Sequence, residues 1–293
     1  MTPAPDLLSL RHLSASVSGL VAAASPSVVS VRSHRSLSSG FLWKPGLVVT
    51  ADEALAEEGE VAVTLPGGNR VAATVAGRDP ATDIALLRAE TGGLPPAALE
   101  PVTPEPGALS LAVGARDGAP VVALGVVSAA GAPWRSMRGG EIDARIELAL
   151  SLRREAEGGV ALDAEGRAFG MAVSGPRRRV LVIPAATVAR VAAQLEAHGR
   201  IARGYLGLGL QPVRLDRGEG MGAMVMSVDG GGPGAKAGVH QGDVIQAWDG
   251  QPIGSINALL RSLGPASVGR TVALSLRRGG ETRAVVLEIG ERP

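Results

Sequence analysis

The amino-acid sequence predicts a mainly β protein. Residues 27 to about 183 contain short apolar runs separated by Gly, Pro and Asp, among them Val28–Val31, Val61–Leu65 and Val121–Val127. Short runs rich in β-branched residues are typical of strands, and 41 glycines and 20 prolines indicate many turns. These observations favour a β-barrel or a β-sandwich without deciding between the two.

The composition limits the classes of function. The chain has 293 residues, which predicts two domains or one large one, and with 45% hydrophobic but only 2% aromatic residues its core must be largely aliphatic. A formal net charge of +1 argues against a strongly basic surface for nucleic acid. The absence of cysteine excludes disulfides and cysteine-ligated zinc. No apolar run reaches the ~18 residues of a membrane span, and nothing in the composition calls for a cofactor.

The N-terminal residues bear on the compartment of the protein. Leu13–Ser25 follows Arg11 and His12 and has some features of a signal peptide, but it is rich in Ser and Gly, and Asp6 lies where a basic region would be expected. The sequence therefore favours a cytoplasmic protein, with a periplasmic location as the alternative. A helix is predicted over residues 184–199, where apolar residues recur at helical spacing before a closing glycine.

Three segments resemble the catalytic segments of HtrA-type, trypsin-like serine proteases. Residues 46–55 (GLVVTADEAL) resemble the histidine segment, with Glu53 at the histidine position. Residues 79–87 (DPATDIALL) resemble the aspartate segment and keep Asp83. Residues 146–161 (IELALSLRREAEGGVA) align with the serine segment, with Glu157 at the nucleophile position. The resemblance implies two six-stranded β-barrels with a cleft between them.

The C-terminal third resembles a PDZ domain of the HtrA type. The resemblance rests on residues 204–210 (GYLGLGL), 233–245 (PGAKAGVHQGDVI) and 248–253 (WDGQPI). It implies an N-terminal arm over residues 1–23, a trypsin-like domain over 24–199 and a PDZ domain over 204–293. The implied site for a partner's C-terminal tail consists of Tyr205, Leu206, Gly207, Leu208, Leu210, Ile256 and Leu260.

The residues at the triad positions predict a loss of protease chemistry. A serine protease needs a hydroxyl nucleophile, an imidazole base and a carboxylate that orients the base, whereas this chain offers Glu53, Asp83 and Glu157. In the family, backbone N–H groups around the nucleophile bind the oxyanion, and here Glu155 replaces a loop glycine. We expect a protein that is not an enzyme but a scaffold, adaptor or assembly chaperone.

Two alternatives remain. Glu53, Asp83 and Glu157 could form a carboxylate cluster that performs other chemistry or binds Ca²⁺, Mg²⁺ or Mn²⁺, or Glu53 and Glu157 could face solvent or pair with Arg153 or Arg154. The chain could also assemble with an active relative. HtrA relatives usually form trimers through N-terminal segments that often carry aromatic residues. This segment offers leucines but no aromatic residue, which argues against a homotrimer and leaves a monomer or a hetero-complex as the alternatives.

Overall fold

The computed structural model describes residues 7–34, 36–57, 59–136, 138–215 and 220–291. Residues 1–6 of the predicted arm, and residues 216–219 and 292–293 of the predicted PDZ domain, lie outside this range. The chain divides into two compact units, Met1–Arg200 and Ile201–Pro293. The first described element is the helix α1, Leu7–Ala24, on which Leu10 and Leu13 are exposed.

The first six strands close into a barrel. Its strand order is β1-β2-β3-β6-β5-β4, and β4 pairs with β1 to complete the ring. Aliphatic side chains from all six strands fill the interior, as a sequence with so few aromatic residues requires. The strands are β1 (Val28–Ser33), β2 (Ser36–Lys44), β3 (Leu47–Thr50), β4 (Val61–Thr64), β5 (Arg70–Asp79) and β6 (Ile84–Ala89).

A second closed barrel follows, in the order β11-β14-β13-β12-β7-β8, with a short hairpin of β9 and β10 between its strands. The helix α2 (Ala185–His198) ends the unit, and Gly199 caps it with a φ of 71°. The strands are β7 (Leu109–Arg116), β8 (Ala119–Gly131), β9 (Trp134–Arg135), β10 (Glu141–Ile142), β11 (Arg145–Ala149), β12 (Val160–Asp163), β13 (Ala168–Ser174) and β14 (Val180–Pro184).

The second unit is an α+β domain built on one antiparallel sheet in the order β16-β17-β18-β20-β21, so β16 and β21 are its edges. The helix α4 begins after Ser255, whose hydroxyl caps it by accepting from the Ala258 N–H at 3.1 Å. The elements are β15 (Gly204–Tyr205), β16 (Leu208–Arg214), β17 (Met221–Val228), α3 (Pro233–Lys236), β18 (Val244–Trp248), β19 (Gln251–Pro252), α4 (Ile256–Arg261), β20 (Thr271–Arg278), β21 (Glu281–Glu288) and β22 (Gly290–Glu291).

The structure confirms the predicted fold class and decides in favour of barrels over a sandwich, because both six-stranded sheets close. Within the described part of the chain, no helix is long and apolar enough to span a membrane.

Candidate functional site

Glu53 lies in a short turn that an arginine holds in place. The turn Asp52–Ala54 follows β3. Arg78, on β5, donates to the backbone carbonyls of Ala56 at 2.9 Å and Asp52 at 3.0 Å, and its Nε contacts the Asp52 carboxylate at 2.5 Å. Asp52 is almost fully buried, so this ion pair is internal. The Glu53 side chain itself is exposed and lies 3.5 Å from Arg138.

Asp83 immediately precedes β6 and has a left-handed backbone, at a φ of 58°. Its Oδ1 accepts from the backbone N–H of Glu53 at 2.8 Å, which joins the aspartate segment to the turn that carries Glu53. Burial, assisted by the nearby carboxylates of Glu53, Glu157 and Asp52, raises the pKa of Asp83 to about 7, against the lowering effect of the hydrogen bond from the Glu53 N–H. Asp83 can therefore exchange a proton near neutral pH.

Glu157 follows the single-turn helix Arg154–Ala156. Its Oε1 accepts from the backbone N–H of Ser174 at 3.1 Å, so this carboxylate pairs with β13 and not with Arg153 or Arg154. The Glu157 N–H donates to the Arg154 carbonyl at 3.2 Å. An N–H that is bonded inside its own turn is not free to bind a substrate oxyanion.

The loop before Glu157 is attached to the first barrel through Ser39 of β2. The Ser39 hydroxyl accepts from the Ala115 N–H at 2.8 Å and donates to the Glu155 carbonyl at 2.5 Å. The Ser39 N–H donates to the Glu157 carbonyl at 2.8 Å. One residue of the first barrel thus contacts both β7 and the loop of the second barrel.

The side chains around Glu53 and Asp83 form a cleft of about 480 Å³, and Glu157 is not among the residues that line it. Glu53 and Asp83 line one side of it. The remaining lining is mainly apolar and includes Trp134, Ile142, Leu181 and Ile183, together with Ser174 and Arg138. Among the described residues, no group of three or more His, Cys, Asp or Glu side chains could hold a metal ion. The structure therefore gives no support to a metal site formed by Glu53, Asp83 and Glu157.

Sequence reasoning missed the residues that organise this cleft. Arg78 immediately precedes the aspartate segment, and this position could have marked it as a residue close to the site. Its hydrogen bonds to residues 52–56, however, depend on the pairing of the barrel strands. Arg138 and Ser39 come from distant segments without any recognisable motif. Only the closed barrels bring them to Glu53 and Glu157.

In the second unit, two carbonyls of the turn between β15 and β16 are held by hydrogen bonds from within the domain. The Leu206 carbonyl accepts from the Gly234 N–H at 2.7 Å, and the Gly207 carbonyl accepts from the Asp229 N–H at 2.8 Å. The C=O and N–H of one trans peptide unit point in opposite directions. The N–H groups of Gly207 and Leu208 therefore point away from these partners, as donors for an anion would.

Gly207 is required in this turn. Its φ is 68°, and a Cβ would lie 3.0 Å from the Cα of Gly232. The neighbouring Tyr205 hydroxyl donates to Asp229 Oδ2 at 3.0 Å and so ties the start of the turn to the end of β17.

The predicted groove side chains occupy different environments. Leu206 is only 4% exposed and its side chain belongs to the domain core, so Leu206 contributes its backbone and not its side chain to the proposed site. Leu208, Leu210 and Ile256 are partly buried and pack against the same core. Leu260 on α4 is 51% exposed. Leu208, Leu210, Ile256 and Leu260 thus remain candidates for the walls of a groove between β16 and α4.

Comparison with known families matches both units. Residues 38–171 match the model of the trypsin-like peptidase domain, and residues 204–289 match that of the PDZ domain. The chain is 31% identical over 277 residues to a probable periplasmic serine endoprotease, DegP-like, from Pseudomonas fulva, and the match covers 89% of this chain and 57% of the relative. The chain thus spans little more than half the length of this relative.

Solved structures agree with this assignment. A serine endoprotease from Yersinia pestis superposes with a TM-score of 0.72 at 27% identity, over 94% of this chain and 97% of the other. The HtrA-type protease AlgW, solved with a tripeptide, gives a TM-score of 0.67 at 26% identity, over 94% and 97% of the two chains.

Two expectations from the sequence are wrong by these comparisons. The expectation that the chain is not an enzyme is contradicted because the matched relatives are named serine endoproteases. Glu53 and Glu157 show that the usual base and nucleophile are absent. They do not show that the chain lacks every kind of hydrolytic activity. The expectation of a cytoplasmic location is contradicted because the relatives are named periplasmic, and the N-terminal composition was too weak a signal to decide it. The resemblance in the motifs is confirmed: the chain carries a trypsin-like peptidase domain followed by a PDZ domain, in the HtrA-type fold.

Proposed function

We propose that this protein is a periplasmic, HtrA-type protein that recognises the C-terminal tails of partner proteins with its PDZ domain and serves them as an adaptor or assembly factor. The observation that carries the proposal is the pair of N–H groups at Gly207 and Leu208, which point away from the partners of the Leu206 and Gly207 carbonyls, at the start of the edge strand β16. We retain the division into residues 1–23, 24–199 and 204–293 as part of the proposal, with a monomer or a hetero-complex favoured over a homotrimer as the assembly.

The chemistry of a C-terminal tail suits this place. A terminal carboxylate accepts hydrogen bonds from backbone N–H groups, and an extended tail can add as a strand to a free sheet edge. The edge strand β16 lies beside α4, and the partly buried Leu208, Leu210 and Ile256 offer an apolar surface for the tail's side chains. A terminal carboxylate and an apolar last residue are therefore the features that we expect a ligand to share.

The proposal is tested with fluorescent peptides that end in a free carboxylate or in an amide. We expect the acid to bind more tightly by about tenfold or more, because charge-assisted hydrogen bonds contribute roughly 1.5–3 kcal/mol. Gly207→Glu is expected to abolish binding, since any side chain there meets Gly232 and the added charge repels the carboxylate. Gly250→Glu is the matched control, because Gly250 also has a positive φ, 76°, but has open space around it. Equal binding of acid and amide would overturn the proposal.

A second candidate is hydrolysis of polypeptides in the cleft of the first unit. It is supported by the names of the relatives and by Asp83, whose pKa of about 7 suits an acid or base at neutral pH. Without a serine at the position of Glu157, the nucleophile would be a water molecule, with Asp83 accepting its proton or donating one to the leaving amine.

The hydrolysis candidate is tested by incubating an unfolded protein with the purified chain and with Asp83→Asn between pH 5 and 9. Cleavage with an inflection near pH 7 that is lost in the variant supports carboxyl chemistry. Cleavage that the variant retains would exclude Asp83 from the reaction.

A further inference from the structure

In the second barrel, the end of β13 extends beyond the strand that pairs with it. The strand β12 begins at Val160, which pairs with Met171 of β13. The residue before β12 adds one more bond, because the Ala172 N–H donates to the Gly159 carbonyl at 2.9 Å. Ser174 is the last residue of β13, two residues further along. It therefore lies beyond the pairing of β13 with β12.

The backbone of Ser174 is directed to the side that β12 has left. In an antiparallel ladder, a residue directs its N–H and C=O to the same side, and successive residues alternate between sides. Ala172 bonds on the side of β12, whereas the Gly175 N–H donates to the Arg179 carbonyl on the opposite side, at 2.7 Å. The N–H and the C=O of Ser174 therefore both point to the side of β12. Ser174 is exposed and lines the cleft.

Glu157 meets this edge with its side chain and not with its backbone. The Glu157 N–H donates to the Arg154 carbonyl, and the Glu157 carbonyl accepts from the Ser39 N–H at 2.8 Å, so its backbone does not continue the ladder. Instead, Glu157 Oε1 accepts from the Ser174 N–H at 3.1 Å. The carboxylate oxygen thus stands where an added strand would present a peptide carbonyl oxygen to the same donor.

The surroundings of Ser174 suit an extended polypeptide segment. A segment that adds to a strand edge binds through its main chain and places alternate side chains in neighbouring pockets. Next to Ser174 the cleft offers an apolar lining that includes Trp134, Leu181 and Ile183. The charge of Glu157 also reaches this cleft, because it contributes to the raised pKa of Asp83. An apolar, uncharged segment is therefore the ligand that the cleft favours.

We propose that Glu157 is a built-in competitor for an extended polypeptide segment at the edge of β13, and that the segment must displace its carboxylate from Ser174 in order to bind. A peptide carbonyl of the segment then replaces Oε1 as the acceptor, and the N–H of the same residue donates to the Ser174 carbonyl. The inference goes beyond tail recognition by the PDZ domain and does not depend on it, and it requires no hydrolysis.

The test uses an uncharged seven-residue peptide with a central leucine, acetylated and amidated so that it offers no terminal carboxylate to the PDZ domain. It is titrated against the full chain, and the amide resonance of Ser174 reports both the affinity and the place of binding. We expect Glu157→Ala to bind the peptide about two- to tenfold more tightly than the parent, because the competing hydrogen bond is lost. Glu157→Gln, which keeps an acceptor oxygen without the charge, should lie between the two.

Glu155→Ala is the matched control. Glu155 belongs to the same loop and its carboxylate lies 4.0 Å from Arg116, so the substitution removes the same charge and leaves the contact between Glu157 and Ser174. An equal gain in Glu155→Ala would assign the effect to charge alone and overturn the inference. Equal affinities of the parent and Glu157→Ala, or a Ser174 resonance that shifts in neither, would also overturn it. Each of these outcomes leaves tail recognition intact, because peptides with a free carboxylate test it separately.

Discussion

Replacing Asp83 by asparagine isolates the electrostatic cost of the carboxyl group in the cleft. The amide oxygen can still accept from the Glu53 N–H, as Asp83 Oδ1 does at 2.8 Å. Asparagine also tolerates the left-handed backbone at this position, where φ is 58°. The substitution therefore keeps the local geometry and removes only the charge that appears above the pKa.

The sign of the effect follows from the direction of the pKa shift. Burial raises the pKa of Asp83 from 3.8 to about 7, so the folded chain holds this proton over a pH range in which the unfolded chain has lost it. Unfolding then releases a proton, and the contribution of Asp83 to stability is full below about pH 4 and is lost as the pH rises through about 7. Asp83→Asn should lack this loss.

The magnitude is bounded by the same shift. The difference between 3.8 and about 7 corresponds to at most ~4 kcal/mol. Asp83 is only partly buried, so solvent screens part of its charge. We therefore expect Asp83→Asn to be more stable than the parent by roughly 1–3 kcal/mol at pH 8. The variant should match the parent near pH 4 and exceed its stability increasingly from pH 5 to pH 8.

Urea unfolding of the full chain at four pH values between 4 and 8 measures this difference. Asp117→Asn is the matched control, since Asp117 also has a positive φ, 51°, but its side chain is 71% exposed. Any gain from the left-handed backbone appears in both variants, and only the gain in Asp83→Asn should depend on pH. A stability difference that stays constant with pH, or a variant less stable than the parent at pH 8, would refute the argument.

Two further changes probe internal ion pairs. Arg78→Ala leaves the buried carboxylate of Asp52 without its partner, and we expect a loss of about 3–5 kcal/mol in urea unfolding; a loss below ~1 kcal/mol would show that the clamp on the Glu53 turn is dispensable. In the PDZ domain, the hydrogen bonds from Arg278 hold the pKa of Asp243 below its usual value, so its contribution to stability is present above about pH 4 and is lost as the pH falls. In Asp243→Asn, the thermal unfolding midpoint should therefore fall less steeply as the pH is lowered below about 4. A midpoint that depends on pH as in the parent would assign the acid sensitivity to another group.

The sequence was informative where function depends on local motifs. Residues 46–55 and 79–87 predicted that Glu53 and Asp83 approach one another, together with Glu157. Asp83 Oδ1 does accept from the backbone N–H of Glu53, whereas a functional cluster of the three carboxylates stays a prediction. The PDZ motifs predicted the turn at Gly207. The structure explains the glycine, because only a residue without a side chain fits the positive φ of this position beside Gly232.

The partners of the acidic side chains could not be read in the same way. The sequence suggested Arg153 or Arg154 as nearby cations, but Glu53 meets Arg138 and Glu157 meets the backbone of Ser174. These pairings depend on how closed barrels bring distant strands together, which no local pattern encodes. The pKa of Asp83 is likewise a property of burial and of neighbouring charge in the folded chain.

The bonds of Ser39 have a consequence for how the first unit melts. A single side chain of the first barrel holds the β7 backbone and the loop that leads to Glu157 in the second barrel. Separation of the barrels would leave these buried groups without partners, and unsatisfied buried groups are costly. The two barrels should therefore lose their structure in one cooperative transition, with amide protons of both exchanging at the same free energy of opening.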